Sequence, residues 1–299
     1  MPFIQSAKFF FALSSALVVA GIVLFFIPGP VLSIDFTGGT LIELDLPAEV
    51  TKEALTSALA SIPGETPLGN VALSRTKDGS VLLRMRDITN EEHVALIAHL
   101  EEEFGAVTEH QFTTIGPTVG ASLKKRAVWA LFIASVAIVV YIAFAFRKIP
   151  RRLSPWRFGI VAVVTLLHDI IGTVGIFVIM SHYTSFEVDT LFVTALLTIL
   201  GYSVNDTIVI FDRIRDNLAN QERGEPFAVV AERSLKESIT RSFNTSFSTL
   251  IMLFALYFLG SESIRWFVLT LCVGTIIGTY SSIFIATPLL VYWQKNPRA

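Results

Sequence analysis

Six apolar runs, each long enough to cross a bilayer, limit this chain more than any other feature: residues 9–27, 127–146, 158–180, 188–211, 242–260 and 266–293. A hydrocarbon layer about 30 Å thick takes roughly 20 apolar residues as a helix. Lipid offers the backbone no hydrogen-bond partners, so such runs cross as helices, which satisfy their own. The first run exceeds the usual core of about 7 to 15 residues in a cleaved signal peptide, lacks a clear small-residue cleavage site, and is followed by further spans. It reads as an uncleaved first transmembrane helix, stopped by Pro28, Gly29 and Pro30. Composition agrees: 53% of residues are hydrophobic, 16% are charged and mean hydropathy is +0.63, which places the chain among membrane proteins. The expected architecture is an all-α six-helix membrane bundle.

Between the first and second runs the texture is that of a soluble domain. Residues 40–46, 71–75, 80–86 and 107–115 read as strands, and Lys77-Asp78-Gly79 supplies a hairpin turn. Residues 51–62 carry Leu55, Ala58, Leu59 and Ile62 at helical spacing. A second amphipathic helix covers 90–104, with Asn90 as its cap and Val94, Ile97 and Leu100 or Ala98 on one face. The order βαββαβ predicts an inserted α+β domain of ferredoxin-like type. The expected division is a first transmembrane helix at 1–28, this domain at 29–125, five transmembrane helices at 126–293 with loops at 147–157 and 212–241, and a tail at 294–299.

Charge sets the expected orientation. Residues 29–125 hold 14 acidic and 7 basic residues, whereas 147–157 hold five basic residues (Arg147, Lys148, Arg151, Arg152, Arg157) and no acid. The positive-inside rule puts that loop in the cytoplasm, and six spans then place both termini there and the acidic domain outside. The loop 212–241 carries six basic and six acidic residues, and its 226–239 part reads as an interfacial helix anchored on the inner leaflet by Phe227, Val230 and Leu235. No basic patch points to nucleic acid. A single cysteine, Cys272, excludes an intramolecular disulfide and a Cys-based metal site. No cofactor or metal is predicted, and the lack of a Gly-rich phosphate loop argues against ATP as the energy source.

Acids inside the apolar runs carry the chemistry. A central Asp costs roughly 2.5 to 3.5 kcal/mol on insertion scales and normally faces a partner or a cavity. Asp169 lies at the midpoint of the third run and Asp206 near the inner end of the fourth, about 7 Å below the surface. Arg241 opens the fifth run at the same face, within reach of a long side chain. One reading is a static contact that orients helices. The other is a relay, in which Arg241 moving toward or away from Asp206 releases or loads a proton. Protease readings fail: Gly201-Tyr202-Ser203-Val204 lacks the second glycine of serine motifs, and neither Asp169 nor Asp206 sits in a Gly-Asp signature, so no enzyme is expected. Gly274 and Gly278 form a small-residue face suited to close helix packing.

Taken together, these residues resemble the SecD/SecF family of protein-export membrane proteins, on its SecF side. Ser33-Ile34-Asp35-Phe36-Thr37-Gly38-Gly39 looks like that family's Asp-x-x-Gly-Gly motif, with Ser33 where glycine is usual. Gly116-Pro117-Thr118-Val119-Gly120 fits the segment re-entering the membrane, Leu167-His168-Asp169 the third helix, and 201–217, with Gly201, Asn205, Asp212 and Arg213, the most specific signature. The resemblance implies a proton relay through Asp206 and Arg241, joined by Asp169, that drives late-stage polypeptide export by the proton motive force in a bacterial cytoplasmic membrane. It implies as partners SecD, the SecYEG channel, YajC and a substrate polypeptide met by the external domain. The competing readings are a small-molecule or lipid efflux subunit of the same superfamily, disfavoured by a single external domain, and a passive scaffold.

Overall fold

The structure is a computed structural model that describes the chain except residues 1, 48, 62–67, 69–70, 77–78, 147–154, 222–224 and 295–299. The expected turn at Lys77-Asp78 and the basic residues Arg147, Lys148, Arg151 and Arg152 lie outside the described residues. The chain divides into two compact units, one formed by 31–127 with 187–190, the other by 1–30, 128–186 and 191–299.

The first of these holds α3 (Ile34–Thr37), β1 (Gly39–Asp45), α4 (Lys52–Ala60), β2 (Ala72–Arg75), β3 (Val81–Met85), α5 (Asn90–Phe104) and β4 (Thr108–Ile115). The strands form one antiparallel sheet in the order β2-β3-β1-β4, with Ile42 of β1 opposite Leu83 on one side and Phe112 on the other. Alternation along β1 and β3 turns Ile42, Leu44, Val81, Leu83 and Met85 inward, where Leu55, Ala58 and Leu59 of α4 and Leu96 and Leu100 of α5 complete the core. Two details of α5 correct the expectation. Its N-cap is Thr89, not Asn90, in a capping box whose Glu92 side chain returns to the Thr89 backbone N–H. Its inward face is Leu96 and Leu100 with Ile97 packed beside them, so Ile97 and Leu100 fall as expected, whereas Val94 is 59% exposed and Ala98 is exposed too.

The second unit is helical: α1 (Pro2–Gln5), α2 (Ala7–Phe26), the membrane part of α6 (Pro117–Ala145), α7 (Pro155–Tyr183), α8 (Thr190–Ala219), α9 (Phe227–Leu259), α10 (Arg265–Ser281) and α11 (Thr287–Gln294). Among the described residues six helical stretches are long and apolar enough to cross a membrane. The last joins α10 to α11 through a π-helical turn at Ser282–Ala286. Pro288 explains the turn, because it has no N–H to donate four residues back.

Several helices outrun their apolar runs. Helix α6 starts at Pro117, and α8 continues through the charged residues past Phe211 to Ala219. The separate interfacial helix expected at 226–239 does not exist as such: α9 is one unbroken helix from Phe227 to Leu259. Val230 and Leu235, expected as lipid anchors, are fully buried in the helical core with Phe158, Phe211 and Ile214, so protein rather than lipid covers that face. Glu232, on a neighbouring side of α9, is 4% exposed and takes the backbone N–H groups of Phe3 and Ile4 at 3.5 and 3.3 Å.

Candidate functional site

Helix α8 places Ser203, Asp206 and Thr207 at i, i+3 and i+4, on the face that also buries Phe192, Ala195, Leu196, Ile199 and Leu200. Opposite it stands Asp169 of α7, 1% exposed. Its carboxylate is held from three sides. His168 meets Oδ1 through Nδ1 at 2.9 Å, and the hydroxyls of Ser203 on α8 and Ser281 on α10 both donate to Oδ2, the latter at 2.9 Å. Three helices therefore converge on one acid, and the hydrogen bonds offset the cost of placing it among apolar side chains.

The polar column continues toward Asp206. Thr207 and Ser282 share a hydrogen bond between hydroxyls at 2.8 Å, and Ser282 is the first residue of the π-helical turn. Such turns recur at functional sites because they rotate side chains out of the regular helical register. Gly278 makes the approach possible: a Cβ there would lie 3.0 Å from that of Ser203. Asp206 is 8% exposed, with Ser242 of α9 and Ser282 flanking its carboxylate. Its Oδ2, the Ser242 hydroxyl and Nε2 of His168 are buried without a hydrogen-bond partner among the described residues. Alongside runs a second string, from the Tyr202 hydroxyl to Ser246 at 2.9 Å and from Ser246 to Thr279 at 2.6 Å.

The expected ion pair between Asp206 and Arg241 is not formed. Arg241 is exposed, and among the described residues no ion pair within 4 Å joins it to Asp206. The reason is the continuity of α9: successive positions on a helix point about 100° apart, and it is Ser242, 1% exposed, that α9 turns toward Asp206. The hydroxyls of Ser203, Ser242, Ser281 and Ser282 were not singled out as partners by sequence. The spacing of Ser203, Asp206 and Thr207 was the available signal on α8; nothing in sequence linked Ser281 and Ser282 to it.

The remaining motif positions fall elsewhere. Gly201 and Asn205 are exposed on α8. Asp212 pairs with Arg215 at 2.6 Å and Arg213 with Glu237 of α9 at 2.6 Å. In the other unit, Asp35 accepts at Oδ2 from the backbone N–H and the hydroxyl of Thr190, at 2.9 and 2.6 Å. Gly38 and Gly39 have φ of +74° and +124°, and a Cβ on Gly39 would stand 2.6 Å from the Met85 carbonyl oxygen, so both positions need glycine. No group of three or more metal-ligating side chains occurs among the described residues.

Two family descriptions match the chain: "Protein export membrane protein SecD/SecF, C-terminal" over residues 96–296, and "SecD/SecF GG Motif" over residues 23–46. The chain belongs to the SecD/SecF family. Among its relatives, a protein translocase subunit SecF from Thermobaculum terrenum is 40% identical, over 96% of this chain and 92% of that one. A SecF from Sebaldella termitidis is 36% identical, over 99% of this chain and 92% of that one. The fused translocase subunit SecDF of Bacillus subtilis is 33% identical over 98% of this chain, which spans 38% of it. Among solved structures, SecDF from Thermus thermophilus, described as a translocon-associated membrane protein, superposes with a TM-score of 0.84 at 31% identity, covering 99% of this chain and 39% of that one. A SecDF structure in a super-membrane-facing form gives 0.68, covering 97% of this chain and 38% of that one.

Proposed function

We propose that this SecD/SecF family member works as the SecF subunit of a protein translocase and uses the proton motive force to promote late-stage export of polypeptides. It is not an enzyme. The observation that carries the reading is the pair of buried acids, Asp169 and Asp206, set in a column of hydroxyls where α7, α8, α9 and α10 meet. An intramembrane acid with a polar path beside it is the ordinary material of proton relays. Asp206 exchanges the proton, Asp169 holds the neighbouring helices in register, and Arg241 is the group that swings toward Asp206 in another conformation. Each charge moved across the membrane supplies about 2.3 kcal/mol per 100 mV, enough to bias a two-state helix arrangement when several move.

The same reading makes the βαββαβ unit a ferredoxin-like domain on the outer side, where it meets the emerging polypeptide. It puts both termini on the cytoplasmic side of a bacterial inner membrane. SecD, the SecYEG channel and YajC are its partners. Export into inverted vesicles carrying SecYEG, the ATP-driven motor and SecD, with and without an imposed pH gradient, tests the proposal. Asp206→Asn and Arg241→Met are expected to abolish the gradient-stimulated part and leave ATP-driven export in place. Full stimulation in an assembled Asp206→Asn protein would refute the relay.

A further inference from the structure

The Asp-x-x-Gly-Gly segment has no part in the polar column, yet it makes an unusual contact. Residues 31–35 are zipped to residues 188–190, which lead into α8. Val188 donates to the Val31 carbonyl at 2.8 Å and Ser33 donates to the Val188 carbonyl at 2.9 Å, as a short parallel bridge. Asp35 then receives both the backbone N–H and the hydroxyl of Thr190, the first residue of α8. The first N–H groups of any helix lack partners within it, and a carboxylate there also complements the positive end of the helix dipole.

A local turn role for Asp35 is already filled by another residue. Ser33 is the N-cap of α3 and its hydroxyl accepts from the Asp35 N–H at 3.2 Å, which leaves the Asp35 carboxylate free to serve α8 from 155 residues away in sequence. On the other side of the same segment, Glu187 pairs with Arg84 of β3. Residues 187–190 are thus tied to the sheet through Arg84 and to the segment that leads into β1 through Val31, Ser33 and Asp35. Immediately after Asp35 come Gly38 and Gly39, whose bare α-carbons let β1 start against Met85 of β3 and Pro117 of α6.

We propose that Asp35 is a positioning residue for gradient-driven export, capping α8 so that a displacement of this helix is handed to the root of the sheet. The inference rests on the relay reading above. Asp206 lies on the same unbroken helix as Thr190, about 24 Å further along, and a continuous helix carries an axial or rotational shift over that length. The Asp35 carboxylate receives the shift because it is bonded to the first turn itself.

The test uses the full chain with SecD and SecYEG in inverted vesicles, comparing Asp35→Ala, Asp35→Asn and Asp206→Asn, with amide exchange measured at residues 190–192. Asp35→Ala is expected to reduce gradient-stimulated export at least fivefold and to speed exchange at those amides by roughly the same factor, in line with the loss of a helix cap. Asp35→Asn keeps one acceptor oxygen and is expected to recover most of both. A purely local fold role would speed exchange at those amides and leave gradient stimulation in place. Wild-type gradient stimulation in Asp35→Ala, or faster exchange at 190–192 without loss of stimulation, would overturn the proposal. If instead Asp206→Asn keeps its stimulation while Asp35→Ala loses it, the relay reading fails and the cap stands.

Discussion

Thr89 and Glu92 show how much one residue's choice of partner settles. Thr89 has a Glu three positions on, whereas Asn90 has His93, so the capping-box rule favoured Thr89 even though both residues are good caps. The guanidinium of Arg86, bonded to Glu92, together with the Thr89 backbone N–H, holds the Glu92 carboxyl down at about 2. An unfolded Glu titrates at about 4.3, so this depressed value stabilises the folded domain above that pH and the contribution is lost as pH falls through about 2. The protection factors of the α5 amides, that is exchange corrected for its own pH dependence, are expected to fall between pH 5 and pH 2, and Glu92→Gln is expected to flatten the profile. The same scale explains why Asp206 was visible in the sequence while its neighbours were not. A carboxylate in an apolar run announces its cost. A serine hydroxyl does not, and Ser203 and Ser281 meet Asp169 from 34 and 112 residues away.

Among the elements, α9 departs furthest from its expected form. Its amphipathic stripe was legible, since Val230 and Leu235 do turn to one side. What that side faces was not, because an apolar stripe reads the same against lipid and against protein. Glu232, buried beside that stripe with the amides of Phe3 and Ile4, is the residue that argues for protein. Continuity through 240 has a mechanical consequence: a shift at Ser242, beside Asp206, is carried into the charged half of the helix where Glu237 holds Arg213 and Asn217 of α8. Thr240→Pro tests this. The position is exposed, so no packing is lost, yet a mid-helix proline costs about 3 kcal/mol or more. We expect a marked drop in melting temperature in detergent; an unchanged melt would mean that two separate helices meet there.

On the scale of the whole molecule, the six membrane-length helices and the four-stranded sheet found among the described residues were legible because hydrophobic period and run length survive any tertiary arrangement. The Asp206–Arg241 pair was not, because sequence distance to the membrane surface gives depth and says nothing of rotation about the helix axis. In this conformation the acid faces serines and the arginine faces outward. The two acids therefore sit buried within a hydroxyl-lined column, and the central claim of the proposal is that proton exchange takes place at Asp206. Infrared difference spectroscopy of the complex with SecD in lipid, stepped between two pH values, reads it most directly. A carboxyl C=O band that changes with pH in the wild-type protein and vanishes in Asp206→Asn, while Asp169→Asn shifts it, is the predicted result. A spectrum that is the same in wild-type and Asp206→Asn proteins would contradict the claim.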